Sequence, residues 1–337
     1  MIINKDKIVF LGMGKFGTAI AHRLDLTDRY KICFYARNEQ LVLNFNQNFR
    51  NLNCFSNFKF SSNTTATSNI LEATNKANII FITVSSSNIV EVVTKLKSFI
   101  KKNVKIILCS KGINENYPFF YTEIIKQILG RKNSIYVFSG PNFADEIMSG
   151  ELSITTMAGK SLLKTKILSL IFRGTNIKIE VSNDIIGVQL FGAMKNVMAI
   201  TVGILEGLGF GKNRIIRTMM HFVSETQRLS KFYKAKKNTA YLAAGIGDIM
   251  LTCFDEKSRN KKFGIEIGKG KNIQELLQSS LVEGYYAVKA IREMCNQIKR
   301  FNKKSLAYIN AIYDILYKNK DPFLTLNNVE KSKQNEK

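Results

Sequence analysis

One lysine stands alone within a long apolar stretch of the chain. Gly187–Leu205, with the sequence GVQLFGAMKNVMAITVGIL, is apolar or small almost throughout, yet it contains Lys195 and Asn196 near its middle. Lys195 is the only charged residue between Asp184 and Glu206. An amine in such surroundings must reach solvent, meet a partner or take part in chemistry. We interpret Lys195 as an acid/base group, because apolar surroundings disfavour the charged amine and so ease proton exchange near neutral pH.

The helix predicted for this stretch supplies no partner for the amine. Residues three and four positions apart are neighbours on a helix surface. Near Lys195 these positions hold Phe191, Gly192, Met198 and Ala199, so we expect surroundings without a counter-charge. The stretch is long enough to be tested as a membrane span. A central lysine costs about 3 kcal/mol there, so we predict a helix buried inside a soluble protein and no transmembrane segment.

Three further places in the chain carry polar groups suited to binding a substrate. Ser258, Arg259 and Asn260 are consecutive; the guanidinium could bind a phosphate through paired hydrogen bonds that the other two side chains supplement. The alternative is a solvated basic loop with a helix cap. Asp248 lies in a Gly-rich turn ahead of an apolar run, and Lys111 follows a predicted strand. The carboxyl ends of strands are where open α/β sheets bind ligands.

A glycine pattern near the start of the chain predicts a dinucleotide site. The apolar run Lys7–Leu11 is followed by Gly12, Gly14 and Gly17, and Thr18–Leu24 then has a helical pattern. In such a turn the first glycine allows a tight bend, the second lets the backbone approach a pyrophosphate, and the third allows close packing of helix on strand. The pattern alone is weak, but its position between a strand and a helix favours this interpretation.

The second strand indicates which cofactor is used. NAD-binding sites usually carry an acid at its end, to bind the ribose 2′-hydroxyl. Here that place falls on Ala36, Arg37 or Asn38, none of which is acidic. Arg37 could face a 2′-phosphate, which favours NADP or the use of both cofactors. A solvated arginine after a strand explains the residue equally well.

The order of elements predicts an α/β fold in two parts. Strands and helices alternate as far as Val181, which predicts an N-terminal Rossmann-like doubly wound sheet over 1–182. Helical patterns alone follow, so we expect a C-terminal all-α domain over 183–326 and a polar, disordered tail over 327–337. The predicted strands are Lys7–Leu11, Tyr30–Ala36, Ile79–Val84, Lys105–Cys109, Tyr136–Phe138, Leu152–Ala158 and Ile177–Val181.

Composition excludes several other classes. The 337 residues carry a formal charge of +24, but the lysines are dispersed and no run reaches five like charges, so we expect no nucleic-acid partner. The five cysteines show no CxxC spacing, which argues against a disulfide framework or a zinc site, and no metal is expected. Free thiols and the lack of a signal-peptide pattern favour the cytoplasm.

Eight motifs follow one another along the chain from Lys7 to about Leu326. They are GMGKFGTA, SKG at Ser110–Gly112, SGPNFA at Ser139–Ala144, IGVQLFGAMKNVMAI, GLGFGKN at Gly207–Asn213, GIGDIMLTC, SRNKKFG and VEGYYA at Val282–Ala287. Taken together and in order, they resemble the bacterial-type NAD(P)-dependent glycerol-3-phosphate dehydrogenase family. The resemblance implies interconversion of sn-glycerol 3-phosphate and dihydroxyacetone phosphate, toward glycerol 3-phosphate for phospholipid synthesis in most such enzymes, and a homodimer.

The resemblance also implies roles for individual residues. Lys195 is implied as the proton donor and acceptor. The implied substrate contacts are Lys111, Gly140, Asn142, Lys195, Asp248, Ser258, Arg259 and Asn260. The implied cofactor contacts are Gly12, Gly14, Lys15, Phe16, Gly17, Arg37, Lys111, Ala144, Arg259, Leu281 and Glu283.

The chain departs from the family pattern at several of these positions. Lys15 and Phe16 stand where a serine and a tryptophan or tyrosine are frequent, and Asn142 replaces a serine or threonine. Leu281 replaces a common valine. The alternatives left open are another two-domain reductase, of the 6-phosphogluconate or ketopantoate type, and a non-catalytic dinucleotide sensor. The sensor would need the glycine turn but not Lys195, Asp248 and Arg259 together.

Overall fold

The computed structural model describes residues 5–279, 282–298 and 306–334, which pack as two units. The first unit comprises 5–111 and Tyr121–Ile185, and the second comprises Gly112–Phe120 with the described residues from Ile186 onward. The predicted boundary after residue 182 differs from this division mainly at Gly112–Phe120. That segment belongs to the second unit because Phe119 and Phe120 are buried in its core.

An eight-stranded sheet forms the centre of the first unit. Its order is β3-β2-β1-β4-β5-β6-β7-β8, and every neighbouring pair is parallel except β6 and β7. The first six strands therefore have the 3-2-1-4-5-6 order of dinucleotide-binding sheets, which confirms the predicted doubly wound fold class. The strands are β1 Asp6–Leu11, β2 Tyr30–Tyr35, β3 Thr64–Thr67, β4 Ile79–Ile82, β5 Lys105–Leu108, β6 Ser134–Ser139, β7 Ser153–Gly159 and β8 Ile177–Ser182.

The inner strands are mainly apolar after their first residues because both faces of the sheet are covered. Side chains alternate between the faces of a strand. In β1, accordingly, Ile8 and Phe10 enter one core while Val9 and Leu11 enter the other. The helices of this unit are α1 Lys15–Asp25, α2 Glu39–Asn48, α3 Ile70–Thr74, α4 Ile89–Leu96, α5 Tyr121–Leu129, α6 Ala144–Ser149 and α7 Leu162–Ser169.

The regular secondary structure of the second unit is helical in its described residues. The long apolar helix α8 lies at its centre, and each of its residues from Gly187 to Leu205 is buried. The helices are α8 Ile185–Gly207, α9 Lys212–Phe232, α10 Asp248–Phe254, α11 Arg259–Gly268, α12 Ile273–Ser279, α13 Glu283–Gln297, α14 Ala307–Lys318 and α15 Pro322–Gln334. A 3₁₀ turn, Lys237–Tyr241, and a π turn, Ala243–Gly247, precede α10.

Helix α8 is the one described helix that is long and apolar enough to cross a membrane. Its most apolar 18-residue window is 89% buried within the protein. Burial of this kind is typical of a core helix, since a membrane span would present apolar side chains to lipid.

Two pairs of glycines bring the backbones of α8 and α11 into contact. Gly203 and Gly207 face α11, while Gly264 and Gly268 face α8. A Cβ atom added to any of the four would lie between 2.1 and 2.4 Å from a carbonyl oxygen of the facing helix. Only glycine permits this approach, so the pairing fixes where α11 lies along α8.

Two sequence predictions differ from the fold. The tail prediction is wrong for 327–334, which belong to α15, while 335–337 lie outside the described residues. Helix α15 is stabilised by tertiary contacts that its polar sequence does not reveal; its Glu330 forms an ion pair with Arg214 of α9 at 2.9 Å. Strand β3 was not predicted, because its sequence TTAT has no bulky apolar residue.

Candidate active site

The glycine turn has the geometry of a phosphate-binding loop. Gly12 has φ +114°, a conformation that other residues rarely adopt, and its N–H donates to the Tyr35 carbonyl oxygen at 2.9 Å. A Cβ on Gly17 would lie 2.6 Å from Thr83 Oγ1, whereas one on Gly14 would meet no atom within 4 Å. Gly14 is the N-cap of α1 and contributes no side chain there. Backbone N–H groups at an open helix start are suited to an anionic pyrophosphate.

A buried asparagine that sequence analysis missed holds this turn from behind. Asn51 lies in the loop after α2, and its Nδ2 donates to Met13 O and to Thr18 Oγ1, each at 2.9 Å. The side chain is fully buried. One amide therefore ties the glycine turn to the first turn of α1. The only sequence signal was an asparagine in a segment without periodicity, which does not distinguish such a contact from a solvated loop.

Beside the turn lies a cleft of about 600 Å³ that includes Arg37. Its walls come from the glycine turn, the end of β2, and α4. Arg37 Nη1 lies 3.2 Å from Glu91 Oε2, and Lys95 Nζ lies 2.8 Å from Glu91 Oε1. Sequence analysis found no acidic residue at the end of β2, and the segment directly after that strand has none. The cleft nevertheless contains a carboxylate, because α4 supplies Glu91.

The predicted substrate residues of the first unit lie at the carboxyl ends of β5 and β6. Lys111 Nζ donates to the Gly140 carbonyl oxygen at 2.6 Å. A Cβ on Gly140 would lie 2.9 Å from Thr155 Cα, so the backbone is closely packed there. Asn142 Oδ1 accepts from Thr155 Oγ1 at 2.9 Å, while its Nδ2 is buried and donates to no described residue. That amide can therefore donate to a ligand oxygen.

The two departures next to the second glycine have different surroundings. Lys15 is exposed, with Nζ 3.5 Å from Asp145 Oδ1 and 5.9 Å from the centre of the Phe55 ring. Phe16 packs against Phe138 with ring centroids 6.3 Å apart. Ala144 is the first residue of α6. Lys15 thus adds a charge at the open start of α1, whereas Phe16 mainly contributes packing.

In the second unit Lys195 forms an ion pair with Asp248. Lys195 Nζ lies 2.5 Å from Asp248 Oδ1, and the two residues are 8% and 0% exposed. The expectation of surroundings without a counter-charge is therefore wrong. It considered only the neighbours on the same helix, while the carboxylate comes from the first residue of α10, 53 positions along the chain. A nearby carboxylate stabilises the charged amine.

A tight backbone contact places Asp248. In the π turn Ala243–Gly247, Gly245 lies so close to the preceding 3₁₀ turn that a Cβ there would be 2.4 Å from the carbonyl oxygens of Thr239 and Ala240. The turn leads directly into α10, so Asp248 enters the core at the first position of a helix. Negative charge is favoured at a helix N-terminus.

A hydrogen-bonded chain of polar groups lies next to Lys195 in sequence. Asn196 Oδ1 accepts from Asn260 Nδ2 at 3.0 Å, and Asn196 Nδ2 donates to Glu283 Oε2 at 3.4 Å. Asn260 Oδ1 in turn accepts from the Gly284 N–H at 2.9 Å. The network joins α8, α11 and α13. It shows that Asn260 and Glu283 belong to one cluster and adds Asn196, which sequence analysis noted without assigning a role.

The remaining predicted residues of this unit differ in what they contact. Ser258 is the N-cap of α11, and its Oγ accepts from the Lys261 N–H at 3.3 Å. Sequence analysis gave such a helix cap as the alternative to a phosphate contact. Arg259 is the exposed first residue of α11, and its guanidinium has no hydrogen bond or ion pair to a described residue. Leu281 lies outside the described residues.

A buried thiol lies near Lys195, and the described residues contain no cluster suited to a metal ion. Burial raises the pKa of Cys253 to about 12, although the charge of Lys195 acts in the opposite direction. This thiol therefore stays protonated at neutral pH and is a poor nucleophile. Among the described residues, no group of three or more His, Cys, Asp or Glu side chains could hold a metal ion.

The sheet order, the glycine turn and the buried lysine define a class, that of dinucleotide-dependent oxidoreductases with a helical second domain. A model of the N-terminus of NAD-dependent glycerol-3-phosphate dehydrogenase matches residues 7–163, and the model of the C-terminus matches 184–327. The chain belongs to this family. It is an NAD(P)-dependent oxidoreductase that acts on a CH–OH group.

Individual relatives cover nearly the whole chain. A glycerol-3-phosphate dehydrogenase [NAD(P)+] of Clostridium botulinum (strain Eklund 17B / Type B) is 31% identical over 95% of this chain and 95% of its own. The enzyme of the same name from Halothermothrix orenii is 30% identical over 96% and 94%. The crystal structure of glycerol-3-phosphate dehydrogenase from Coxiella burnetii has a TM-score of 0.87 at 26% identity, covering 96% of this chain and 98% of that one.

Proposed function

We propose that this protein interconverts dihydroxyacetone phosphate and sn-glycerol 3-phosphate, with Lys195 as the general acid and base. The observation that carries the proposal is the Lys195–Asp248 ion pair, which is buried in the core of the helical unit. An enzyme of this family requires a proton donor for the carbonyl oxygen that is being reduced. Lys195 suits that role by its position in the sequence, its burial and its carboxylate partner.

The two members of the pair have complementary tasks. A bound nicotinamide supplies and accepts the hydride. The protonated amine of Lys195 donates a hydrogen bond to the ketone oxygen and transfers its proton as negative charge grows there. In the reverse direction the neutral amine accepts the proton of the alcohol. Asp248 fixes the position of Nζ through their ion pair.

The polar groups around the pair would bind the rest of the substrate. Arg259 presents its guanidinium to solvent at the N-terminus of α11, where backbone N–H groups also favour an anion. We assign the substrate phosphate to this end of α11, with Asn260 alongside. Binding the phosphate away from the reacting carbon would orient the ketone, because that binding energy can be spent on positioning. In the first unit, Lys111, Gly140 and Asn142 would bind substrate oxygens, and Lys111 would also contact the cofactor.

The cofactor assignment follows from the first unit. The glycine turn would bind the pyrophosphate, and Arg37 would bind the adenosine 2′-phosphate, so we assign NADPH as the preferred cofactor with NADH as an alternative. Ala144, Glu283 and Leu281 complete the contacts that the family pattern suggests. We further propose a cytoplasmic, homodimeric enzyme that supplies glycerol 3-phosphate to phospholipid synthesis.

Replacement of Lys195 tests the catalytic assignment. Lys195→Ala should lower kcat for dihydroxyacetone phosphate reduction by about two or more orders of magnitude, the usual effect of losing a general acid. NADPH oxidation measures turnover, and quenching or enhancement of nicotinamide fluorescence measures cofactor binding separately. NADPH binding should persist, since its predicted contacts in the first unit are unchanged.

Two further variants separate catalysis from stability. Lys195→Ala leaves Asp248 buried without its lysine, which is destabilising. The double variant Lys195→Met, Asp248→Asn removes both buried charges and should fold while remaining inactive. The exposed Lys231, on α9, provides the matched control, and Lys231→Ala should keep full turnover. A folded Lys195→Ala enzyme with an unchanged kcat would exclude Lys195 as the acid.

A further inference from the structure

The cleft beside the glycine turn contains three charged side chains that meet at one carboxylate. Arg37 follows β2, while Glu91 and Lys95 lie one turn apart on α4. Each cation pairs with a different oxygen of Glu91, at 3.2 and 2.8 Å. The cluster thus has two positive charges and one negative charge, and Arg37 is 61% exposed at its side chain.

The position of the cluster relates it to one part of a dinucleotide. In sheets of this type the pyrophosphate lies at the glycine turn, and the ribose of the adenosine half lies at the end of the second strand. Arg37 stands at that strand end, twenty residues after Gly17. The same cleft is lined by Gly12, Gly14 and both α4 residues. The charges therefore face the place where NADP has a 2′-phosphate and NAD has a 2′-hydroxyl.

We propose that Glu91 and Lys95 set the cofactor selectivity, Lys95 by joining Arg37 on the 2′-phosphate and Glu91 by competing with that phosphate for both cations. This inference rests on the proposed use of NAD(P)H. Glu91 can also accept a hydrogen bond from a 2′-hydroxyl, as the acid at the end of the second strand does in NAD-binding sites. One carboxylate therefore favours NADH and restrains the preference for NADPH.

The strengths of the interactions fit an exchange of partners. Hydrogen bonding from Lys95 lowers the pKa of Glu91, so the carboxylate is charged at neutral pH. All three side chains are largely exposed, and ion pairs between exposed groups are weak. A phosphate dianion offers more acceptor oxygens and more charge than one carboxylate, and arginine binds phosphate through paired hydrogen bonds. The phosphate can thus displace the Glu91 carboxylate from the two cations. The negative charges of the phosphate and the carboxylate then lie close together and repel each other.

Two adenosine fragments isolate this effect from the rest of the cofactor. Adenosine 2′,5′-bisphosphate and adenosine 5′-monophosphate differ only in the 2′-phosphate, and neither carries a nicotinamide. Titration calorimetry of each fragment with the full chain gives a ratio of dissociation constants. That ratio should shift about fivefold toward the bisphosphate in Glu91→Gln, and about fivefold away from it in Lys95→Gln, the size expected for one exposed charge interaction.

A lysine on the same helix end provides the control. Lys97 is exposed and does not line the cleft, so Lys97→Gln removes the same charge without touching the cluster. Its ratio should stay at the wild-type value. The shift caused by Lys95→Gln should also shrink at high salt, because exposed charges are screened.

The outcomes separate this inference from the proposed function. The inference is overturned by an unchanged ratio in both Glu91→Gln and Lys95→Gln, by a ratio that moves against the bisphosphate in Glu91→Gln, or by an equal shift in Lys97→Gln. Each variant changes an exposed side chain, and thermal unfolding monitors its fold. An inactive enzyme whose fragment ratio responds as expected would contradict the proposed reaction and leave the selectivity cluster standing.

Discussion

Replacing one glycine where α8 and α11 cross should displace the polar network that Asn260 joins. A Cβ at Gly203 would lie 2.1 Å from Lys261 O, about 1.3 Å short of the 3.4 Å at which ordinary contact begins. The obstacle is backbone, as are Ile265 N at 2.9 Å and Gly264 Cα at 3.0 Å, so no side-chain rotation relieves it. In Gly203→Ala, α11 must therefore move by about 1 Å.

The cost in stability is moderate. Overpacking of this kind costs about 1–3 kcal/mol, and alanine in place of glycine inside a helix returns about 1 kcal/mol. A net loss of up to about 2 kcal/mol corresponds to a decrease in Tm of up to roughly 8 °C for a unit of this size. Differential scanning fluorimetry measures that decrease.

The cost in activity should be larger. Asn260 is the second residue of α11, and its 3.0 Å hydrogen bond to Asn196 does not survive a shift of 1 Å. Misplacement by that distance can lower catalysis by about 100-fold, so we expect kcat/KM for dihydroxyacetone phosphate to fall by at least about tenfold. NADPH oxidation at varied substrate concentration measures it.

A matched glycine controls for the substitution itself. Gly211, the N-cap of α9, has φ −71° and open space where a Cβ would be. Gly211→Ala weakens the N-cap of α9 but also makes the unfolded chain less flexible. These two effects on stability oppose each other, so the Tm should change by less than about 2 °C. Wild-type Tm and kcat/KM in Gly203→Ala would refute the argument, because the helices could then separate without cost.

Two other predictions concern the glycine turn and a buried ion pair. Asn51→Leu should weaken NADH and NADPH binding by the same factor, about fivefold to tenfold, because the lost hydrogen bonds support the turn and not the 2′ end; fluorescence titration tests this, and a loss confined to NADPH would contradict it. Burial alone raises the pKa of Glu206, but hydrogen bonds from Lys212 and Lys261 outweigh it and the pKa is lowered. Because the pKa is lower in the folded state, ionised Glu206 stabilises the fold at pH values above the unfolded-state pKa, near 4.5. This stabilisation is lost as the pH falls through the folded-state pKa. Thermal melts from pH 6 to pH 3 should thus fall less steeply in Glu206→Gln than in wild type; parallel curves would exclude this contribution.

Features that depend on one segment of the chain could be predicted from the sequence. The glycine turn, the alternation of strands and helices and the burial of α8 follow from spacing and periodicity, because they depend on residues that are close along the chain. The same local reasoning gave the cap at Ser258 as an alternative, and the structure has that cap.

Contacts between residues that are far apart in the sequence could not be predicted. Asp248 meets Lys195 from another helix, Glu91 meets Arg37 from α4, and Asn51 reaches the glycine turn from a loop without periodicity. No spacing rule relates these residues, since a tertiary contact depends on the whole topology. Sequence analysis therefore placed Lys195 and Arg37 correctly on their elements but left each without its carboxylate.

The buried Lys195–Asp248 pair also constrains the order of events during folding. Helix α8 cannot enter a dry core by itself, because desolvating a lone ammonium group costs several kcal/mol. The carboxylate that compensates arrives only when the segment containing the π turn and α10 docks. Collapse of α8 and docking of that segment must therefore occur as one cooperative step, and a chain caught before it would keep its most apolar helix hydrated around Lys195.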